Sequence, residues 1–520
     1  MRRLVILIST VFLFPLLFAP PSNAGTIAIQ GHVQGATALI ENVTISGIDS
    51  KNFSSVKFTV APKIGSKTKA ISATYSPQYL SSIDSEWVTS TQITVPVFGL
   101  YQDYTNTISF EVVEKKRKTN LSLSVSTDPV NTPYTHPLIV KSRDQNVTLG
   151  YSYFYLKDMS DGYNPVVVDT DGNIRWIGTT GIASQSSIFI NNQFFVGAGS
   201  QLFINNLDGS TGFVASYGDA PNYVTNISHH NYDPGKNGIL LEVDTNNGIE
   251  SHVESTIIEV ALDGRVLKTF DLSAIIATEM RRGRDSENTI NNFIVHGGDW
   301  FHNNSATYWP SRNEIVLSSR ENFVIAVDYD TYKIKWILGD PNKYWYQQTS
   351  LKRFALRLAS GEYPIGQHGL SITKDNQLLL FDNDYPGFFH GNPDGIYSPN
   401  PPYSAPRKYS INTKNMTANQ TWAYLANPAI FSPICSSVYQ DGNSYLIDYA
   451  SADGGPQILG IDDKGKLAFH YQYQGWFGLA WNSAPIHLED LKFTKPVTFV
   501  GRSGLSLSPS ASLPRLNDLM

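Results

Sequence analysis

Six times between residues 166 and 469 the chain runs an apolar strand into a turn of the Asp/Asn-Gly type. Each turn leads to a second strand that carries an aromatic residue at its end. The passes are residues 166–172 leading to Trp176, 202–209 to Phe213, 257–264 to Phe270, 324–330 to Trp336, 408–413 to Trp422 and 458–465 to Phe469. A polar turn and a further apolar strand precede each of the last five, beginning at Asn192, Asn237, Asn313, Asn376 and Asn443. Repeats this irregular, each supplying several strands, predict a six-bladed β-propeller, because a solenoid would keep a tighter period. Helical periodicity is nearly absent; one short helical insertion is expected at 351–359.

Ahead of the repeats, residues 25–140 hold short alternating runs such as Val56-Lys57-Phe58-Thr59-Val60 and Thr107-Ile108-Ser109-Phe110-Glu111-Val112. Period-two alternation broken by Gly, Ser, Asn and Pro reads as antiparallel strands, so an N-terminal β-sandwich-like domain is expected. The polar, proline-bearing stretch 126–133 has linker composition. The fold class is therefore all-β, with the propeller over 141–520. The basic run at 115–118 lies between two β-like segments and reads as a solvated hairpin turn.

Residues 1–24 open with Arg2 and Arg3, run apolar from Leu4 to Ala19 and close on Ser22-Asn23-Ala24. This is the pattern of a secretory signal peptide, and the protein is expected to be exported. No other stretch is long and apolar enough to span a bilayer. With a formal net charge of −6 the chain has no electrostatic footprint for nucleic acid. Its single cysteine, Cys435, has no intramolecular disulfide partner.

In a propeller the innermost strand of each blade lines the central channel, and here it lies just before the polar turn. Counting back from the turns places His368 eight residues before Asn376, His302 eleven before Asn313, and His229 and His230 eight and seven before Asn237. Cys435 and Ser184 take the matching places in two other blades. Three consecutive blades thus bring histidine to the channel, where imidazole serves as nucleophile, acid/base or metal ligand. Arg320, at the end of the next strand of the His302 blade, adds a permanent cation. That charge suits an anion with several oxygens, such as sulfate or phosphate, better than a metal dication. A metal-dependent hydrolase built on the histidines and a non-catalytic binding scaffold are the competing readings.

Taken together, Asp299-Trp300-Phe301-His302-Asn303-Asn304-Ser305, Ser318-Ser319-Arg320, Lys335-Trp336-Ile337-Leu338-Gly339, Gln367-His368-Gly369 and Phe381-Asp382-Asn383 resemble the bacterial arylsulfate sulfotransferase family, which does not use a nucleotide sulfate donor. The resemblance implies transfer of a sulfuryl group from an aryl sulfate donor to a phenolic acceptor by a ping-pong route, with no cofactor and no metal. It makes His368 the transiently sulfurylated residue and puts His302, Arg320 and a histidine of a His-His-Asp-like motif around the transferring group. Here that motif reads His229-His230-Asn231. Motif alignment favours His230 as the catalytic member and counting from the turn favours His229, which also stands as a substrate-binding candidate. Asn231 replaces the commoner acid. A periplasmic location, a homodimer and an aromatic loop at 385–390 near the site complete the expectations.

Overall fold

The computed structural model describes residues 26–115, 117–159, 165–179, 186–217, 230–246, 251–387 and 403–495. Six sheets of four or five strands form the blades, and two further sheets form the N-terminal sandwich. In the sandwich, strand Phe53–Val60 buries Val56, Phe58 and Val60 while Lys57 and Thr59 stay more open, the alternation a half-buried strand requires. The basic run sits at a hairpin, as expected: Tyr104–Glu114 and Arg117–Thr127 pair with Glu114 opposite Arg117, so Arg117 and Lys118 open the second strand.

Blades two to four run strictly in sequence order from the axis outward: Ser186–Ile190 to Thr211–Ser216, Asp233–Pro234 to Val266–Asp271, and Asn303–Trp309 to Ile334–Leu338. Blades five and six each gain a fifth, outermost strand, Arg357–Ser360 and Leu138–Lys141 respectively. The first blade differs in kind. Its three strands Tyr153–Lys157, Val166–Asp169 and Ile174–Ile177 are completed on the inner side by Asn482–Ile486, from the far end of the chain. Strand Leu491–Phe493 then pairs in parallel with Ile71–Tyr75 of the sandwich.

The repeat is driven by turn chemistry. Gly172, Gly209, Gly264 and Gly465 hold φ between 78° and 89° at equivalent turns, a region glycine enters without a Cβ penalty. In blades four and five Tyr332 and Met416 take the left-handed turn position instead, which is why those passes read more loosely. The aromatic ends pack between blades: Trp176 and Trp336 are wholly buried, with their indole N–H groups donating to Leu207 O and Glu314 Oε2.

The sandwich core is continuous with blades one and two. At that junction the fully buried Arg175 donates to Gly99 O at 3.1 and 2.7 Å, pairs with Asp169, and lies 3.6 Å from the Tyr101 ring centroid.

The expectation of one helix at 351–359 needs correction. Ser350–Phe354 is a short 3₁₀ segment, and the longer helices Leu272–Arg282 and Glu287–Phe293 lie between blades three and four. Leu272, Ile275, Ile276 and Met280 are the buried face of the first, and the Asp271 side chain caps it by accepting from Ala274 N. Asp271 also ends strand Val266–Asp271, so the sequence passes from period two to period 3.6 with no breaker between.

Candidate active site

Inner strands of all blades run the same way, so the residues that begin them gather at one end of the channel. His368 opens its strand, His302 immediately precedes Asn303–Trp309, and His230 and Cys435 stand three and two residues before theirs. The eleven-residue spacing at His302 reflects the longer inner strand of blade four. Each second strand runs back antiparallel and returns Arg320 and Asn383 to the same end, after Ser319 and Asp382. The Arg320 backbone N–H donates to His302 O at 3.1 Å. The structure therefore brings His230, His302, His368 and Arg320 together, with the His230 ring 4.9 Å from His302 and 6.2 Å from His368. His229 and Ser184 lie outside the described residues, as do 388–390 of the aromatic loop and the leader at 1–24.

The tautomer of His368 follows from its partners. Asn383 Nδ2 donates to the carbonyls of Ser432 and Cys435 at 2.7 and 2.9 Å, so Asn383 Oδ1 faces the imidazole. His368 Nδ1 lies 2.8 Å from that oxygen and 3.0 Å from Gly366 O. Both are acceptors, which puts the proton on Nδ1 and the lone pair on Nε2. The lone pair accepts a long hydrogen bond, 3.3 Å, from the Cys435 backbone N–H. Burial, reinforced by His230, Arg320 and His302 and opposed by Asn383, holds the His368 pKa well below 6.5. His368 is thus a neutral, oriented base. Cys435 is a channel-wall residue, as expected, and burial pushes its thiol up to about 12, so it is no competing nucleophile.

His302 is prepared in the opposite sense. Its Nδ1 lies 2.5 Å from Asp299 Oδ2 and 2.8 Å from Glu254 Oε2, while Nε2 lies 3.2 Å from His230 Nε2. Burial opposes a charged ring here, but Glu254 and Asp299 outweigh it and raise the pKa to about 10. At neutral pH His302 is an imidazolium beside a neutral His368.

His230, Glu254 and His302 are the one group, among the described residues, with metal-ligand atoms within 4.8 Å of one another. His230 Nε2 lies 3.2 Å from His302 Nε2 and 3.7 Å from Glu254 Oε2, while His302 Nδ1 is engaged by Asp299.

Beneath the histidines, Asn231 accepts from Lys157 Nζ and donates through Nδ2 to Asp233 Oδ1 and Tyr439 OH. An aspartate at 231 could not donate to Asp233; the amide joins a buried cation to a buried anion. Burial moves Lys157 down to about 8 and Asp233 up to about 7. Non-glycine residues in the left-handed region also collect here: Glu254 at φ 44°, His302 at 51°, Asp384 at 56°, Cys435 at 58° and Ser436 at 84°. Each such residue costs on the order of 1–3 kcal/mol, and such strain concentrates at functional sites.

Sequence pattern assigns no role to Asn383 or Glu254. Asn383 carries a usable signal, since it follows its second strand as Arg320 follows its own. Glu254 carries none: it acts from the third strand of a neighbouring blade.

A family model for arylsulfotransferase (ASST) matches residues 124–473, and one for the arylsulfotransferase Ig-like domain matches 42–129. Two curated relatives are similar along most of their length. The "Arylsulfate sulfotransferase AssT" of Lelliottia amnigena is 23% identical, covering 83% of this chain and 86% of the relative. The protein of the same name from Escherichia coli O6:H1 is 22% identical, covering 84% and 86%. Among solved structures, the β-propeller domain of Myceliophteria thermophila Cps50 (Swd1) aligns with a TM-score of 0.33 at 10% identity, over 65% of this chain and 89% of that one. That similarity is too low to add to the strand topology.

Proposed function

We propose, from the premise that this chain belongs to the arylsulfotransferase family and is an aryl-sulfate sulfotransferase, that it transfers the sulfuryl group by a ping-pong route through His368. The carrying observation is the Nδ1–H tautomer of His368, which points the Nε2 lone pair away from its Gly366 and Asn383 anchors. In the first step Nε2 attacks sulfur, the S–O bond to the aryl group breaks, and its electron pair leaves with the phenolate oxygen, which takes up a proton. In the second, an acceptor phenol gives up its proton to solvent, its oxygen attacks sulfur, and the S–Nε2 bond breaks with its electron pair returning to Nε2, restoring neutral His368. Charge spreads over the three non-bridging oxygens during transfer, by analogy with loose phosphoryl transfer. His302, Arg320 and His230 supply donors there. One preorganised donor of this kind is worth roughly 10²–10³ in rate. The long bond from Cys435 N–H is cheaply surrendered when Nε2 engages sulfur.

The propeller carries this chemistry; the two domains divide near residue 140, with strand Leu138–Lys141 on the propeller side and strand Leu491–Phe493 on the sandwich side. The leader pattern at 1–24 supports export to the periplasm, and homodimer formation belongs to the same reading. The test is a chromogenic aryl sulfate offered without acceptor. A burst of one phenol per chain is expected, in the presence of chelator, with a peptide containing His368 heavier by one SO₃ unit. Phenol release with no such adduct sinks the ping-pong route, and dependence on a metal would restore the hydrolase reading.

The pH profile should be a broad plateau. His368 has a depressed pKa, so its neutral form persists as the pH falls and is lost only well below 6.5. His302 has a raised one, so its charged form persists as the pH rises and is lost near 10. A kcat/KM profile with its acid limb at or above 6.5 would contradict this pairing.

A further inference from the structure

We propose that Glu254 and Asp299 act together as a paired-carboxylate clamp on His302, with Glu254 the positioning residue that fixes His302 as a donor aimed through Nε2 at the transferring group. The inference rests on the sulfuryl-transfer reading and assigns a residue to it from outside the histidine and arginine set.

Asp299 accepts the Nδ1–H of His302, and Glu254 sits beside the same nitrogen as an ion-pair partner off the N–H direction. Asp299 Oδ2 and Glu254 Oε2 lie 2.5 and 2.8 Å from the same His302 Nδ1. They arrive from different parts of the fold, Asp299 from the loop before the inner strand of blade four and Glu254 from strand Ser251–Val260 of blade three. Two carboxylates against one largely buried imidazole favour a cationic ring, because burying an excess of like charge is costly; burial, with Glu254 and Glu321, also raises the Asp299 pKa against the pull of His302. Glu254 is itself held in place: its backbone, at φ 44°, donates to Asp244 Oδ1 at 2.8 Å.

The groups facing His302 come from every side. Glu242 and Asp244 of strand Ile239–Asn246 stand behind Glu254, and burial together with Glu254 keeps the Glu242 carboxyl well above its usual range. Glu321 bears on Asp299 from the end of strand Glu314–Ser319. His230 faces Nε2, and Arg320 and His368 complete the ring of groups on the reacting side. The negative charge behind the imidazole outweighs the Arg320 cation ahead of it, so the ring keeps its Nε2 proton; that N–H meets His230 Nε2 at 3.2 Å and passes to the sulfuryl oxygens when the group arrives.

The test uses the full-length protein carrying Glu254→Gln, which keeps size and an acceptor oxygen but removes the charge. For a phenyl sulfate, kcat should fall roughly 10²-fold, the scale for a lost preorganised donor, with little change in KM. The alkaline limb should move from about 10 toward the ordinary histidine value of 6.5. Glu254→Asp should restore both in part. ¹⁵N chemical shifts should report His302 as imidazolium at pH 8 in the wild type and neutral in Glu254→Gln. Should that variant fail to fold, Asp299→Asn and the wild-type shifts carry the same decision. A neutral His302 at pH 8 in the wild type overturns the clamp, as does a slowed variant whose alkaline limb stays in place. Failure of the underlying reading is separately visible as the absence of a His368 adduct in the wild type, whatever the state of His302.

Discussion

His368→Asn is expected to abolish transfer, lowering the rate by roughly 10⁴-fold or more, the scale on which removing a covalent nucleophile acts. Asparagine is small enough for the site and can still donate to Gly366 O, so the fold should survive. The sulfuryl adduct should vanish with the activity, because on the proposed route it is Nε2 of His368, turned from the Gly366 and Asn383 anchors, that carries the group. The measurement is single-turnover release of phenol together with the mass of the His368 peptide. A variant that keeps more than about a hundredth of the wild-type rate would assign the nucleophile elsewhere, since the oriented donors alone account for only part of such a rate.

Asn383→Leu should also slow transfer, through a residue that never touches substrate. Without the Oδ1 acceptor the Nδ1–H keeps only Gly366 O, so the tautomer with its proton on Nε2, which blocks attack, gains population; full loss of tautomer control in a hydrolytic triad costs about 10⁴-fold, which bounds the effect. Some stability goes too: the Cys435 carbonyl loses its donor, at about 1–3 kcal/mol for a buried group left unsatisfied, while the Ser432 carbonyl keeps Ser404 Oγ. Asn383→Asp separates the two effects. A carboxylate still accepts from Nδ1 but favours the charged ring, so the His368 pKa rises and the acid limb of kcat/KM moves to higher pH. Should Asn383→Leu lose thermal stability while keeping its rate, Asn383 is structural only.

The repeating short-range signals of this protein are legible in its sequence. The turn glycines, the aromatic ends and the count back from each polar turn are short-range patterns, and they place His302, His368 and Arg320 correctly at one end of the channel. The helix Leu272–Arg282 is hidden because its cap is also the last residue of a strand. Strand Asn482–Ile486 is hidden because its partner lies at Tyr153–Lys157, and a short alternating segment carries no mark of which edge it will join. Glu254 is invisible for the same reason: its meaning depends on a contact with His302 across a blade boundary. Asn231 reads as a departure from an acidic position, and only its neighbours Lys157 and Asp233 explain why an amide serves there.

The completion of blade one by residues 482–486 also sets an order of events. A chain that emerges amino end first must leave an unpaired edge on Tyr153–Lys157 while everything from 186 to 472 is made. Pairing across so long a stretch is entropically late, since loop closure must be met before the contacts return anything. The ring therefore shuts last, after every residue of the candidate site has been made. One short strand from the far end of the chain decides whether six sheets stand as a row or as a closed ring.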